Sequence, residues 1–150
     1  MEEKTLIRKY SEIKSAAQLV DAIRARCRKL RLSKLEVKAC EEYLAELEHC
    51  KCSDGIIIRA NSQLNTANCL VQCYEEELID LRTLAANYIS QIVDNCGRAI
   101  LMSVIVNGRS VKETAKLVHY ALRTVYRLKD DAMMELDIVI AQNIGTHGID

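Results

Sequence analysis

Positive charge is concentrated in one stretch of a chain that is neutral overall. The 150 residues carry 21 basic and 21 acidic side chains. Between positions 98 and 129, however, one acid, Glu113, stands against seven basic residues, a net charge of +6: Arg98, Arg109, Lys112, Lys116, Arg123, Arg127 and Lys129. Lysine and arginine neutralise phosphates, and arginine can also hydrogen-bond both acceptors of guanine in the major groove. The chemistry predicted for this stretch is recognition of double-stranded DNA.

Three short helices are predicted to carry these side chains. Gly108 ends the first helix, because glycine is common just past a helix C-terminus. Ser110 and Glu113 have the spacing of a capping box, in which the serine side chain binds free amides at the start of a helix. The predicted helices are 98–106, 110–118 and 122 to at least 136, with a turn at 119–121 and a continuation of the third helix to about 141.

The third helix is expected to enter the major groove, as the second motif helix of a helix-turn-helix does. Its inward side chains would be Val125, Leu128, Ala132 and Leu136. The residues expected to face bases are Leu122, Arg123, Thr124, Tyr126 and Arg127. The residues expected near phosphates are Arg98, Arg109, Ser110, Lys112, Lys116 and Lys129.

The run SVKETAKLVHYALRTVYRLKDDAMMEL resembles the C-terminal helix-turn-helix of the sigma-factor region-four type. The family pattern, roughly E-I-A-x-x-L-G-Y-S-x-x-x-V-Y-R-L, is matched at Glu113, Ala115, Tyr120, Val125, Tyr126, Arg127 and Leu128, with Val118 a conservative change. Three positions depart from it: Thr114 replaces a core isoleucine, His119 replaces a turn glycine, and Ala121 replaces a capping serine. The turn position often needs a left-handed backbone, which glycine adopts freely.

The layout of the whole chain resembles more closely the small phage regulators of the ArpU/RinA kind, in which a helical half precedes a sigma-like module. The resemblance covers the C-terminal module closely and the rest of the chain only in layout. It implies a prophage-encoded transcriptional regulator and allows a contact with RNA polymerase. A homo-oligomer, dimeric or larger, is also expected, because a second recognition helix doubles the contacts at a fixed half-site spacing.

An all-α fold is predicted, because the chain has no proline and only five glycines. Long N-terminal helices, forming a hairpin or coiled-coil bundle, would precede the three-helix module. The expected division is an oligomerisation region at 1–95, the DNA-binding module at 96–141 and a frayed tail at 142–150.

Within the N-terminal half, one helix is predicted from about Glu2 to Leu30 and another from Ser33, where Glu36 completes a capping-box pattern. The isoleucines at 56–58 and the asparagine-rich stretch after them are predicted to form a loop. The strongest periodicity follows the heptad spacing of a coiled coil: Ala67, Val71, Tyr74, Leu78, Leu81, Ala85, Tyr88 and Ile92.

A second basic run lies between Arg24 and Lys34 and contains no acid. It could contact phosphates, or it could be a solvated helix face paired with acids such as those at 75–77. Both interpretations stay open from the sequence.

Seven cysteines, an odd number, in a chain without a signal-peptide pattern favour reduced thiols. Cys50, Cys52, Cys69 and Cys73 could bind zinc, but their spacing matches no common finger pattern. Buried apolar positions are the ordinary role of such thiols. Neither a metal nor another cofactor is therefore expected.

Other functions are less well supported by the sequence. No motif of an enzyme is present, such as a glycine-rich phosphate loop or HExxH. A helical interaction protein whose helix-turn-helix does not bind DNA is the first alternative, and a small-terminase-like DNA packaging subunit is the second. No apolar run approaches the roughly 18 residues of a membrane span, so a cytoplasmic protein without membrane contact is expected.

Overall fold

The computed structural model describes residues 3–146, and every regular element in that range is helical. The elements are α1 (Glu3–Lys9), α2 (Ala16–His49), α3 (Asp54–Ile89), α4 (Asn95–Leu101), a π-helical segment (Met102–Val106), α5 (Val111–Val118) and α6 (Leu122–Thr146). The predicted all-α fold class is confirmed. No helix within these residues is both long and apolar enough to cross a membrane.

The chain divides into two compact units, and the boundary falls within α2 and within α3. One unit joins the residues up to Ile23 to those from Ile79 onward, and the other comprises Arg24–Leu78. The first unit therefore contains segments from both sides of position 95, where the sequence suggested a domain boundary. The functional division at that position stays a prediction.

In the unit Arg24–Leu78, α2 and α3 form a helical hairpin. Arg26 pairs with Glu77 at 2.9 Å and Lys34 with Glu75 at 3.8 Å, while the Lys29 ammonium lies 5.8 Å from the centre of the Tyr74 ring. Several of its buried residues are small, namely Ser33, Ala60 and Ala67. Small side chains allow two helices to approach closely, so this pairing does not require large apolar residues.

Two boundary predictions in this hairpin were wrong. Ser33 does not start a helix, because its buried side chain lies in the middle of α2. The isoleucines at 56–58 and the asparagines after them are not a loop, because α3 begins at Asp54 and continues through them. Burial of Ala60 and Ala67 within the hairpin outweighs the weak helix propensity of the polar residues around them. By contrast, all eight positions of the predicted heptad series are buried or half-buried.

The predicted single helix from Glu2 to Leu30 was also wrong, because the chain breaks between α1 and α2. Ser15 Oγ accepts a hydrogen bond from the Gln18 amide at 3.2 Å, and Gln18 Oε1 accepts one from the Lys14 amide at 2.7 Å. Ser15 therefore caps α2, and Gln18 binds the amide one residue before the cap rather than that of Ser15 itself, as a capping box would require. A further acceptor comes from α6, where Asp137 Oδ1 binds the Ala16 amide at 2.6 Å.

The C-terminal half of α6 belongs to the core of its unit. Leu136, Val139 and Ile140 are buried, and Asn143 donates a hydrogen bond to Gln91 at 2.9 Å. Residues 142–146, predicted as part of a frayed tail, continue α6 as a helix. Residues 147–150 of that predicted tail lie outside the described residues.

Candidate nucleic-acid interface

The C-terminal module, defined here as residues 95–136, begins with a capped helix. Asp94 accepts a hydrogen bond from the Gly97 amide at 2.8 Å, so α4 starts three residues before the predicted Arg98. A methyl group on Gly97 would lie 3.0 Å from the Ala132 Cβ of α6. Glycine at this position therefore lets α4 and α6 pack closely.

α4 continues as the π-helical segment, and the chain then turns into α5. Gly108 has φ +71, the left-handed backbone that glycine adopts freely. The predicted cap of α5 is confirmed, since Ser110 Oγ accepts from the Glu113 amide at 3.0 Å. The same hydroxyl donates to Glu113 Oε1 at 3.1 Å, which fixes both side chains at the start of the helix.

The turn between α5 and α6 has the left-handed residue that the sequence led us to expect. His119 has φ 59 and ψ 38, and the Tyr120 amide after it donates to the Ala115 carbonyl at 3.1 Å. The Tyr120 hydroxyl lies 3.4 Å from Cys96 Sγ, and this contact raises the pKa of Tyr120. At the start of α6, the Ala121 carbonyl accepts from the Val125 amide at 3.1 Å, but its methyl side chain cannot cap the helix.

A small apolar core holds α4, α5 and α6 together. Ile100, Ala115 and Val125 are buried at its centre, and four half-buried residues surround them: Val104, Val111, Val118 and Leu128. The inward face predicted for α6 is correct, because Ala132 and Leu136 are buried as well. Burial of this face leaves the opposite side of the first turns of α6 exposed.

The residues predicted to face bases lie largely on that exposed side. Arg123 and Arg127 are exposed one helical turn apart, while Leu122 exposes 43% of its surface and Tyr126 exposes 49%. Thr124 is half-buried. An i, i+4 pair of arginines beside an exposed tyrosine can present several donors and an aromatic ring to one groove.

Some residues predicted near phosphates are exposed, and others already make contacts within the protein. Arg109, Lys112 and Lys116 are exposed, and Lys129 is half-buried. Ser110 already caps α5 through its hydroxyl. The Arg98 guanidinium donates to the Ile92 carbonyl at 2.8 Å and to Asn95 Oδ1 at 2.5 Å, so it closes the loop before α4. A phosphate contact by Arg98 stays a prediction, and it would require this guanidinium to share its donors.

An open depression lies between α5, the turn after it and the start of α6. It measures about 470 Å³ and is lined by Lys112, Ala115, Lys116, His119, Tyr120 and Leu122. Tyr120 was not among the predicted site residues, although it matches the sigma-like sequence pattern. The lining of the depression combines Lys112, Lys116 and His119 with the apolar side chains of Ala115 and Leu122.

The exposed cations of the module have no acidic partners in the described part of the chain. The ion pairs between side chains in residues 3–146 are Lys9–Asp80, Arg26–Glu77 and Lys34–Glu75, and none lies in the module. The basic run of α2 differs, because Arg26, Lys34 and Lys29 contact Glu77, Glu75 and the Tyr74 ring. Three of the six cations in that run thus have a partner, while Arg24, Arg28 and Arg31 form no ion pair with another residue that the structure describes.

The cysteines considered for zinc are not gathered into a site. Cys50 and Cys52 lie at the turn between α2 and α3, whereas Cys69 and Cys73 are exposed one turn apart on α3. Across residues 3–146 there is no group of three or more His, Cys, Asp or Glu side chains placed to hold a metal ion.

Comparison with known proteins identified no relative of this chain. No family model, no curated protein and no solved structure matches this chain.

Proposed function

We propose that this chain binds double-stranded DNA through the C-terminal module, with the first turns of α6 in the major groove. The observation that carries the proposal is the set of exposed cations that form no ion pair with any residue of the range 3–146, namely Arg109, Lys112, Lys116, Arg123 and Arg127. Exposed, unpaired cations keep their full charge available for phosphates, and release of counterions then supplies much of the binding free energy.

The roles within the interface follow from position. Arg123 and Arg127 are offered as base-reading residues because they project from the exposed face of α6, with Leu122, Thr124 and Tyr126 as neighbours. Arg109, Lys112 and Lys116 are offered as phosphate contacts, joined by His119 and Tyr120 at the depression. The resemblance to phage regulators extends the proposal to regulation of transcription by a prophage-encoded homo-oligomer that contacts RNA polymerase.

Binding of random-sequence duplex DNA across a salt series tests the proposal directly. Wild-type affinity should fall linearly on a log–log plot against salt. Arg123→Ala/Arg127→Ala should bind more weakly, because it removes two exposed cations from the proposed interface.

A matched control is Lys4→Ala/Arg8→Ala, which removes two exposed basic residues at the same spacing from α1. This control should bind like wild type. Equal weakening by the control, or no binding by wild type at low salt, would contradict the proposal. Arg24→Ala/Arg31→Ala, tested beside them, asks whether the basic run of α2 also contacts phosphates.

A helical interaction protein remains the second candidate function, favoured by apolar exposure on the same module. Leu117 exposes 58% of its surface, and Leu122 and Tyr126 expose nearly half of theirs. Exposed apolar and aromatic side chains are typical of protein-binding surfaces. If DNA does not bind, Leu117→Ser and Tyr126→Ser should abolish the contact with any protein partner of this surface.

A further inference from the structure

A stripe along α2 leaves apolar side chains exposed between charges of opposite sign. We call it the α2 seam; its six exposed residues are Arg28, Leu32, Leu35, Ala39, Glu42 and Glu46. Their spacing, 4-3-4-3-4, places them on one face of the helix. Leu32 and Leu35 expose 59% and 65% of their surfaces, so nothing in the hairpin covers the middle of the seam.

The charges of α2 reverse sign along its length. Residues 24–34 contain six basic residues and no acid, whereas residues 35–48 contain five glutamates and one lysine. The hairpin satisfies some of these charges, because Arg26 and Lys34 pair with glutamates of α3. The charged residues of the seam itself, Arg28, Glu42 and Glu46, form no ion pair with any other described residue.

We propose that the α2 seam binds the same seam of a second copy of this chain, with the two α2 helices antiparallel. The seam is centred on position 37, so a two-fold axis there places Arg28 opposite the partner's Glu46 and Leu35 opposite the partner's Ala39. The axis makes each of these contacts occur twice. Leu32 then lies opposite the partner's Glu42, beside the half-exposed ring of the partner's Tyr43.

The symmetry of its charges indicates that the partner of the α2 seam is a second copy of this chain. A stripe whose charge reverses about its own midpoint is complementary to itself after a two-fold rotation, which is the condition for an isologous dimer. A parallel arrangement would place Arg28 against the partner's Arg28 and Glu46 against the partner's Glu46, and like charges held opposite each other are unfavourable. The seam therefore fits a second, antiparallel copy of itself.

This inference rests on the proposed function for the expectation of an oligomer, but it concerns a surface outside the C-terminal module. Self-association is measured on the full chain without DNA. A failure to self-associate and a failure to bind DNA are thus separate results.

Sedimentation equilibrium of three charge variants tests the arrangement. Arg28→Glu and Glu46→Arg each create two like-charge contacts per dimer, and each should weaken self-association by about tenfold or more. The combined variant Arg28→Glu/Glu46→Arg restores opposite charges across an antiparallel pair, and it should return to within about threefold of wild type. Glu48→Arg is the matched control, because a step of two residues moves a side chain to the other side of a helix.

Helical content by circular dichroism, compared among the variants, establishes that each one is folded. Weaker self-association in both single variants, with recovery in the combined variant, supports the antiparallel α2 interface. A monomeric wild type, an oligomer that Arg28→Glu leaves intact, or a combined variant that stays as weak as the single ones would each overturn it.

Discussion

The hydroxyl groups of Ser103 and Thr114 meet at 2.8 Å in the buried interior of the C-terminal module. Thr114 Oγ1 also lies 2.9 Å from the Ser110 carbonyl, to which it donates. Because the Thr114 hydroxyl proton is used in that bond, Thr114 Oγ1 accepts the hydrogen bond from the Ser103 hydroxyl. This pair explains how a threonine is accommodated in the buried interior of the module, because Ser103 of the π-helical segment supplies the matching polar group.

Removing both hydroxyls of this pair should therefore cost less stability than the sum of removing each one alone. Thr114→Val leaves the buried Ser103 hydroxyl without this partner and should lower the free energy of unfolding by about 1–3 kcal/mol. Ser103→Ala/Thr114→Val should cost less than the sum of the two single changes, since no unpaired hydroxyl remains. Urea denaturation of the four proteins measures the coupling, and strictly additive costs would show that the pair contributes nothing.

Glycine in place of the left-handed residue of the turn, His119, should stabilise the module. His119→Gly should raise the free energy of unfolding by about 1 kcal/mol, because a Cβ disfavours a backbone with φ 59. Lys51, with φ 56 in the turn between α2 and α3, offers a matched site where Lys51→Gly should have a similar effect. Thermal denaturation provides the comparison, and a drop in stability in both variants would mean that the imidazole and ammonium make compensating contacts.

A capping side chain at the start of α6 should also stabilise the chain. Ala121→Ser supplies an oxygen acceptor for the first free amides of α6 and should add about 0.5–2 kcal/mol to the free energy of unfolding. Ala121→Val, which adds bulk without an acceptor, is the control and should give no gain. Urea midpoints of the two variants decide the matter, and equal midpoints would exclude capping as the cause.

Alkaline pH should destabilise the protein through Tyr88. Burial raises the pKa of Tyr88 to about 12 from its ordinary value of 10, so the unfolded chain loses this proton first. The contribution of Tyr88 to the free energy of unfolding is fully present below pH 10. It is lost as the pH rises toward 12, which lowers the free energy of unfolding by an amount on the order of 2 kcal/mol. Tyr88→Phe should flatten the pH dependence of the unfolding free energy between those values, and urea denaturation at a series of pH values measures it.

Local patterns in the sequence were sufficient to predict several features of the C-terminal module. The Ser110 cap, the left-handed residue at 119 and the buried face of α6 each depend on neighbours a few residues away, and each was predicted correctly. The heptad series of α3 belongs to the same group, since its period alone fixes which residues face inward. These features need no knowledge of the rest of the fold.

The features that the sequence did not predict depend on distant contacts. The break between α1 and α2 is completed by Asp137 from α6, and the helix through residues 56–68 depends on packing within the hairpin. Likewise, the binding of Arg98 to the Ile92 carbonyl arises from the loop before α4. Patterns of charge, by contrast, were sufficient to place Arg123 and Arg127 on one exposed face of α6.

The continuity of α6 has a mechanical consequence. Arg123 and the buried Leu136 lie on one unbroken helix, about 20 Å apart at 1.5 Å per residue. A tilt of about 6° around Leu136 would displace Arg123 by about 2 Å, whereas hydrogen-bond lengths vary by only about half an ångström. Because Ile100 of α4 and Ala115 of α5 pack around Val125 of α6, such a tilt would carry α4 and α5 with it. Changes beside Leu136 should therefore alter the position of Arg123 within the proposed DNA interface.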